Sequence, residues 1–242
     1  MSVFSQTKLL AVSLLAASAL VFGMAPTQAQ QLDPASAIAK VDAAVKARVD
    51  HIASYTVIEH YAVYRGKDES HSVAEMTVRT EYRKETGKTY TILSQSGSGF
   101  IVTHVLGAVL DREKQVNLPG IREHSWLVST NYRMMLKPGG VQRIDGRDCV
   151  ALEISPQRKV PNLIDGTIWV DAKDGTIVRL EGTTLESASI FTRPSQVMRQ
   201  YTNVNGFAMA THARAVTDSF LLGRTVITID YRDYQIQTGP AK

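Results

Sequence analysis

Apolar residues recur at Ile38, Val41, Val45, Val49 and Ile52, while Lys40, Lys46 and Arg48 fall off that line. Spacings of three and four put the five on one side of an α-helix. Asp33-Pro34 stands just before them, an N-capping side chain followed by a proline suited to a first helical turn. The pattern predicts an amphipathic helix of about five turns. Such a helix is not stable alone, so its apolar stripe requires a surface to lie on.

The period then changes to two. Ser54–Tyr64 is aromatic and β-branched. After the turn Lys67-Asp68-Glu69-Ser70, the segment Val73–Lys84 alternates Ala74, Met76, Val78, Thr80 and Tyr82 with Glu75, Thr77, Arg79, Glu81 and Arg83. That is a strand with one face in water. Glu85–Lys88 turns the chain into Thr89–Gln95, completing a three-stranded meander. Val102, Val105, Leu106, Val109 and Leu110 return to helical spacing and predict a second helix over Val102–Val116, weakened by Gly107. The rest reads as β. Candidate strands are Trp126–Leu136, Val141–Ile144, Cys149–Ile154, Gly166–Asp171, Thr176–Thr184, Gln196–Asn203, Phe207–Phe220 and Arg224–Gln235. Asp145-Gly146 and Asn205-Gly206 are strong hairpin signals. With no β-α-β alternation, the expectation is mainly β: an open, curled antiparallel sheet of about eleven strands, a half-barrel with two helices covering its mouth.

The N-terminus departs from this pattern. Lys8 precedes an apolar run, Leu9–Met24, and Thr27-Gln28-Ala29 places small residues at the −3 and −1 positions of a cleavage site. This order predicts a secretory signal peptide over residues 1–29 and a single mature domain over 30–242. The run is shorter than the ~20 residues that span a bilayer, and no second long apolar run follows. The chain is therefore expected to be periplasmic, with no stable transmembrane segment once mature. In that oxidising compartment the single cysteine, Cys149, is read as a small core residue shielded by burial.

Composition removes several classes. The chain has 242 residues, 44% of them hydrophobic, and a formal charge of +4, too mild for a dense nucleic-acid binder. One cysteine excludes a disulfide framework. The six histidines form no HExxH or i,i+4 pair. Gly97-Ser98-Gly99 is neither a nucleophile elbow nor a phosphate loop, and Asp171-Ala172-Lys173-Asp174-Gly175 lacks the acidic spacing of a calcium loop. No catalytic residue, metal or cofactor is expected, and no enzyme. The basic residues spread singly along strands, Arg79, Arg83, Arg143, Arg179, Arg199, Arg214 and Arg232, read mostly as a solvated face. The loop Gln157–Ile164 is too long for a hairpin turn and mixes charged with apolar residues.

What remains is an apolar inner surface. Its candidate lining is Met76, Val78, Tyr82 and Ile92 from the first meander, then Met134, Leu136, Val150, Leu152 and Ile154. Ile168, Val170, Val178, Leu180, Met198, Ile227 and Ile229 complete it. Packed solid, these stripes are a core; left open, they suit an acyl chain.

One stretch carries a family resemblance: Ile144-Asp145-Gly146-Arg147-Asp148-Cys149-Val150-Ala151-Leu152-Glu153-Ile154-Ser155-Pro156, then Gly166-Thr167-Ile168-Trp169-Val170-Asp171, then Thr176-Ile177-Val178-Arg179-Leu180-Glu181-Gly182. With the order of elements, it resembles the periplasmic lipoprotein-carrier superfamily, the LolA, LolB and RseB-like proteins. The resemblance implies a half-barrel holding a lipid or lipoprotein acyl chain in its mouth. It equally implies an alternative, a sensor or docking module that binds an envelope protein with the same half-barrel.

Overall fold

The computed structural model describes residues 33–159, 163–185, 194–219 and 223–239. The predicted signal peptide, residues 1–29, Val160–Asn162 of the long loop and Phe220 of a predicted strand lie outside the described residues.

The first helix, α1, spans Pro34–His51. The Asp33 carboxylate accepts from the backbone N–H groups of Ala35 and Ser36, as its capping position requires. The chain passes from α1 straight into β1 (Ile52–Arg65), so Ile52, expected on the helical stripe, begins the sheet instead. β2 (Ala74–Arg83) and β3 (Gly87–Gly97) complete the meander. The second helix begins at Gly99, earlier than its periodicity suggests. It runs through α2 (Gly99–Ile101), a π-helical stretch (Val102–Leu106) and α3 (Gly107–Val116). The extra residue of the π turn keeps Val102, Leu106 and Leu110 all buried against the sheet.

Eight strands follow: β4 (Tyr132–Leu136), β5 (Gln142–Ile144), β6 (Arg147–Pro156), β7 (Ile164–Asp171), β8 (Ile177–Thr184), β9 (Gln196–Val204), β10 (Phe207–Ser219) and β11 (Gly223–Thr238). Asp145-Gly146 and Asn205-Gly206 make the predicted tight turns, with positive φ at both residues of each pair. The strand expected over Trp126–Leu136 is shorter. Its first half is a one-turn 3-10 helix exit and turns, and the Asn131 amide donates to the carbonyls of Glu123 and Trp126. A side chain that binds its own upstream backbone holds that backbone in a turn rather than a ladder.

The result is one open antiparallel sheet of eleven strands, mainly β and not closed into a barrel. The order is β3-β2-β1-β11-β10-β9-β8-β7-β6-β4, with β5 also on β6. It is two meanders joined by the β1–β11 pairing, which runs from Ile52↔Thr238 to Arg65↔Thr225. The second helix carries the chain from β3 at one edge to β4 at the other.

Candidate functional site

The pairings define one continuous row across the sheet. Gln95, Met76, Tyr61, Ile229, Ala213, Arg199, Leu180, Ile168, Leu152 and Leu136 stand opposite one another in turn, from β3 to β4. Directly opposed residues share a face. This is the face that carries both helices, because the same residues pack against them in two separate clusters.

The first cluster lies under α1. Val41 of the helix meets Met134, Val150, Leu152, Ile154, Ile168, Val170 and Leu180, with Leu136 at its margin. The second lies under α2–α3, where Leu106 and Leu110 meet Met76 and Val78, with Ile227 and Ile229 at the margin. Twelve of the sixteen residues expected to line the mouth therefore fall into these two groups. The other four are placed differently. Tyr82 belongs to a third cluster with Tyr55, its ring stacked 4.9 Å away. Ile92 is opposite Val78 but lies on edge strand β3 and is 52% exposed. Val178 is the extra residue of a bulge, between the pairs Val170↔Ile177 and Trp169↔Arg179. Met198 pairs with Glu181 and Arg214, one residue out of step with the row, so it points away from the helices. Arg199, read from sequence as solvated, takes that inward place.

The face is apolar but not dry of charge. Glu59 is 1% exposed on β1 and accepts a hydrogen bond from the Tyr61 hydroxyl on the same face. Lys88 on β3 pairs at 3.0 Å with Glu113 on α3, and the Asn117 amide donates to the Glu113 backbone carbonyl at 2.7 Å. The Lys88 charge holds the Glu113 carboxyl near 2, against the opposing effect of burial. Burial alone would depress Lys88, but Glu113 together with Tyr55, Tyr90 and Glu59 outweighs it and holds the ammonium above its ordinary range. Arg199 is likewise opposed by burial and favoured by Tyr201, Tyr231 and Glu113. Burial pushes the hydroxyls of Tyr61, Tyr90 and Tyr231 upward. Arg122, from the 3-10 turn, lies over the Tyr82 ring at 5.6 Å. Sequence reasoning missed this patch because its members come from elements far apart in the chain.

α1 is seated by few ties. Asp42 accepts from the Ser129 backbone N–H at 2.7 Å and from its hydroxyl at 2.5 Å. The Lys40 ammonium donates to the Ala172 carbonyl at 2.8 Å. Gly175, with φ +74°, sits so close that a Cβ there would stand 2.4 Å from the Lys40 backbone. Of the helical stripe only Val41 is fully buried; Ile38, Val45 and Val49 are half-buried.

Beneath each helix the facing sheet residues are buried. Cavities of about 40 Å³ beneath the start of α1 and about 100 Å³ beside Tyr55 and Tyr82 are present among the described residues. Both are far below the ~300 Å³ at which ligand pockets begin. Cys149 is buried on the opposite face, its thiol pushed up by burial. Among the described residues no three His, Cys, Asp or Glu groups gather as a metal site, and no helix is long and apolar enough to cross a membrane. Arg158 of the long loop is tied to Asn131 and His124.

No family model and no curated protein matches the sequence. Solved structures do resemble it. A putative outer membrane lipoprotein-sorting protein domain from Vibrio parahaemolyticus is 13% identical over 83% of this chain and 92% of that one, with a TM-score of 0.47. A LolA superfamily protein from Nitrosomonas europaea is 14% identical over 86% and 94%, at 0.46. The MucA/MucB complex of Pseudomonas aeruginosa is matched at 11% identity over 84% and 100%, at 0.28. What these share with the chain is a structural likeness at low sequence identity. At these identities and scores it assigns no ligand, partner or residue role.

Proposed function

We propose that this protein is a periplasmic binding protein for an acyl chain, of a lipid or a lipoprotein, and that α1 is the plug the chain displaces. The observation that carries this reading is the incomplete seal of α1 over an apolar face. The sheet beneath it is fully buried at Leu152, Ile154 and Ile168, whereas three of the helix's own stripe residues are only half-covered. Each methylene buried contributes about 0.8 kcal/mol, so a long acyl chain offsets the contacts α1 gives up. The Asp42–Ser129 and Lys40–Ala172 bonds are polar ties that water replaces when the helix lifts, which suits a reversible closure.

A staple tests this directly. Asp42→Cys with Ser129→Cys, in a Cys149→Ala background, joins the helix to the loop before β4. Binding of a fluorescent acyl probe is expected to be lost in the oxidised protein and restored by reductant. Leu152→Glu, which places a charge beneath the plug, is expected to abolish it. Full uptake by the oxidised variant overturns the plug. Absence of uptake by every form, reduced protein included, overturns the carrier and leaves the docking of an envelope protein as the reading.

A further inference from the structure

We propose that Arg199 is the seat for the anionic head of the acyl ligand; the inference rests on the acyl-binding reading. Arg199 is on β9, between the strands that α1 covers (β4 and β6–β8) and those that α2–α3 covers (β1, β2 and β11). Its row neighbours are Leu180 and Ala213, and Val197 and Tyr201 flank it on the same face. An acyl chain lying where α1 lies would run over Leu180 and end beside this one inward-facing cation of the row.

The guanidinium has capacity to spare. It carries five N–H donors in a fork that matches a carboxylate or phosphate. Among the described residues it forms no ion pair within 4 Å, and its hydrogen-bond partner is the Tyr201 hydroxyl. Glu113 acts on it through charge, but the Glu113 carboxylate is bonded to Lys88. Two further groups in the same patch point to a polar occupant: the Thr80 and Tyr90 hydroxyls, opposite one another on β2 and β3, are buried and without hydrogen-bond partners. The carboxylates of the patch, Glu113 and Glu59, are already engaged by Lys88 and Tyr61, so they oppose an incoming anion less than free carboxylates would. Half-buried Arg199, Tyr201 and Tyr231 keep this middle of the sheet within reach of solvent.

Dodecanoate and dodecanol differ only in the head. Each is titrated against a bound neutral fluorescent acyl ester, with acetate as the anion lacking a chain. Wild-type protein is expected to prefer dodecanoate at least tenfold. Arg199→Gln is expected to bind both alike, with dodecanol affinity unchanged as a sign of an intact fold, and Arg199→Lys to keep part of the preference. Glu113→Gln is expected to strengthen dodecanoate severalfold and leave dodecanol alone. Acetate at the same concentrations is expected to displace nothing; displacement by acetate alone overturns the head-group role in favour of a free-anion site. An undiminished preference in Arg199→Gln overturns the seat while leaving acyl binding intact. Binding of neither probe to wild type overturns both readings.

Discussion

Under α1 the sheet presents Met134, Val150, Leu152, Ile154, Ile168 and Leu180, and the helix itself buries two residues, Ala37 and Val41. Under α2–α3 it presents Tyr61, Val63, Met76 and Val78, and the helix answers with four buried residues, Ile101, Val102, Leu106 and Leu110. The second helix also continues into the Lys88–Glu113 pair, whereas α1 is tied by the Lys40 ammonium to the Ala172 carbonyl and by the Asp42 carboxylate to Ser129. What differs is how much of the sheet's apolar face the helix itself covers and whether a buried charge fixes it. A helix that buries four side chains and an ion pair is part of the core. A helix that buries two residues of eighteen, Ala37 and Val41, is a cover.

The largest test is on cavities. Leu106→Ala and Leu152→Ala each remove a fully buried leucine and are expected to cost about 2–5 kcal/mol in denaturant titrations. Hydrogen exchange separates the two. Leu106→Ala is expected to raise exchange throughout the molecule, and Val41→Ala only in α1, because local opening draws on the contacts of the opening element alone. Uniform acceleration in Val41→Ala would erase the difference between the halves.

Next in size is the pH dependence of the α2–α3 side. Glu113 is held near 2, below its ordinary value of 4.5. As pH falls through that interval the unfolded chain takes up a proton that the native carboxylate refuses. The pair's contribution, complete above about pH 4.5, is therefore expected to fade down to pH 2. Glu113→Gln is expected to flatten this part of the stability curve, measured as the urea midpoint at successive pH values, and to leave α1 exchange unchanged.

These halves were not equally legible in the sequence. Strands and helices follow from periods of two and 3.6, and the hairpins from Asp-Gly and Asn-Gly, all of which are local. The β1–β11 pairing that joins the two meanders is not local, and no short-range signal announces it. Face assignment failed where the count of alternation slips. The bulge at Val178 puts two residues opposite one, so parity carried along from β7 goes wrong at β8. On β9, Val197, Arg199 and Tyr201 share a face and Met198 stands between. Hydrophobicity alone selects Met198, and the inward-facing cation is read as a surface one. The charged patch was illegible for the same reason: Lys88, Glu113 and Arg199 are brought together only by the fold.

On the α1 side, Asp42→Ala removes the acceptor of both Ser129 bonds. A hydrogen bond to a charged group contributes about 1.5–3 kcal/mol, and less where water can replace it. A loss of about 1–2 kcal/mol in global stability is expected, with α1 exchange rising more than that of α2–α3 and acyl uptake accelerating. Slower uptake in this variant would mean that the tie orders the entry path instead of closing it.

The smallest effect isolates the helix from its seat. Asp33 touches no part of the sheet through its two hydrogen bonds; both go to the first turn of α1 itself, at 3.2 and 3.0 Å. Asp33→Ala therefore weakens the helix as a helix and leaves Asp42, Lys40 and Val41 in place. Loss of a capping side chain costs about 1 kcal/mol. If α1 opens by lifting as an intact rod, that cost falls on closed and open forms alike. Global stability then drops by about that amount while uptake is unchanged. If α1 opens by unravelling from its first turn, the closed form alone is weakened, and the acyl probe is expected to enter up to about fivefold faster, the factor that 1 kcal/mol gives at room temperature. The half-buried state of Ile38, one turn in from the cap, favours unravelling. Stopped-flow uptake by Asp33→Ala, set beside its urea midpoint, decides between them: faster entry is the expected result, and an unchanged rate with lowered stability assigns the opening to a rigid helix.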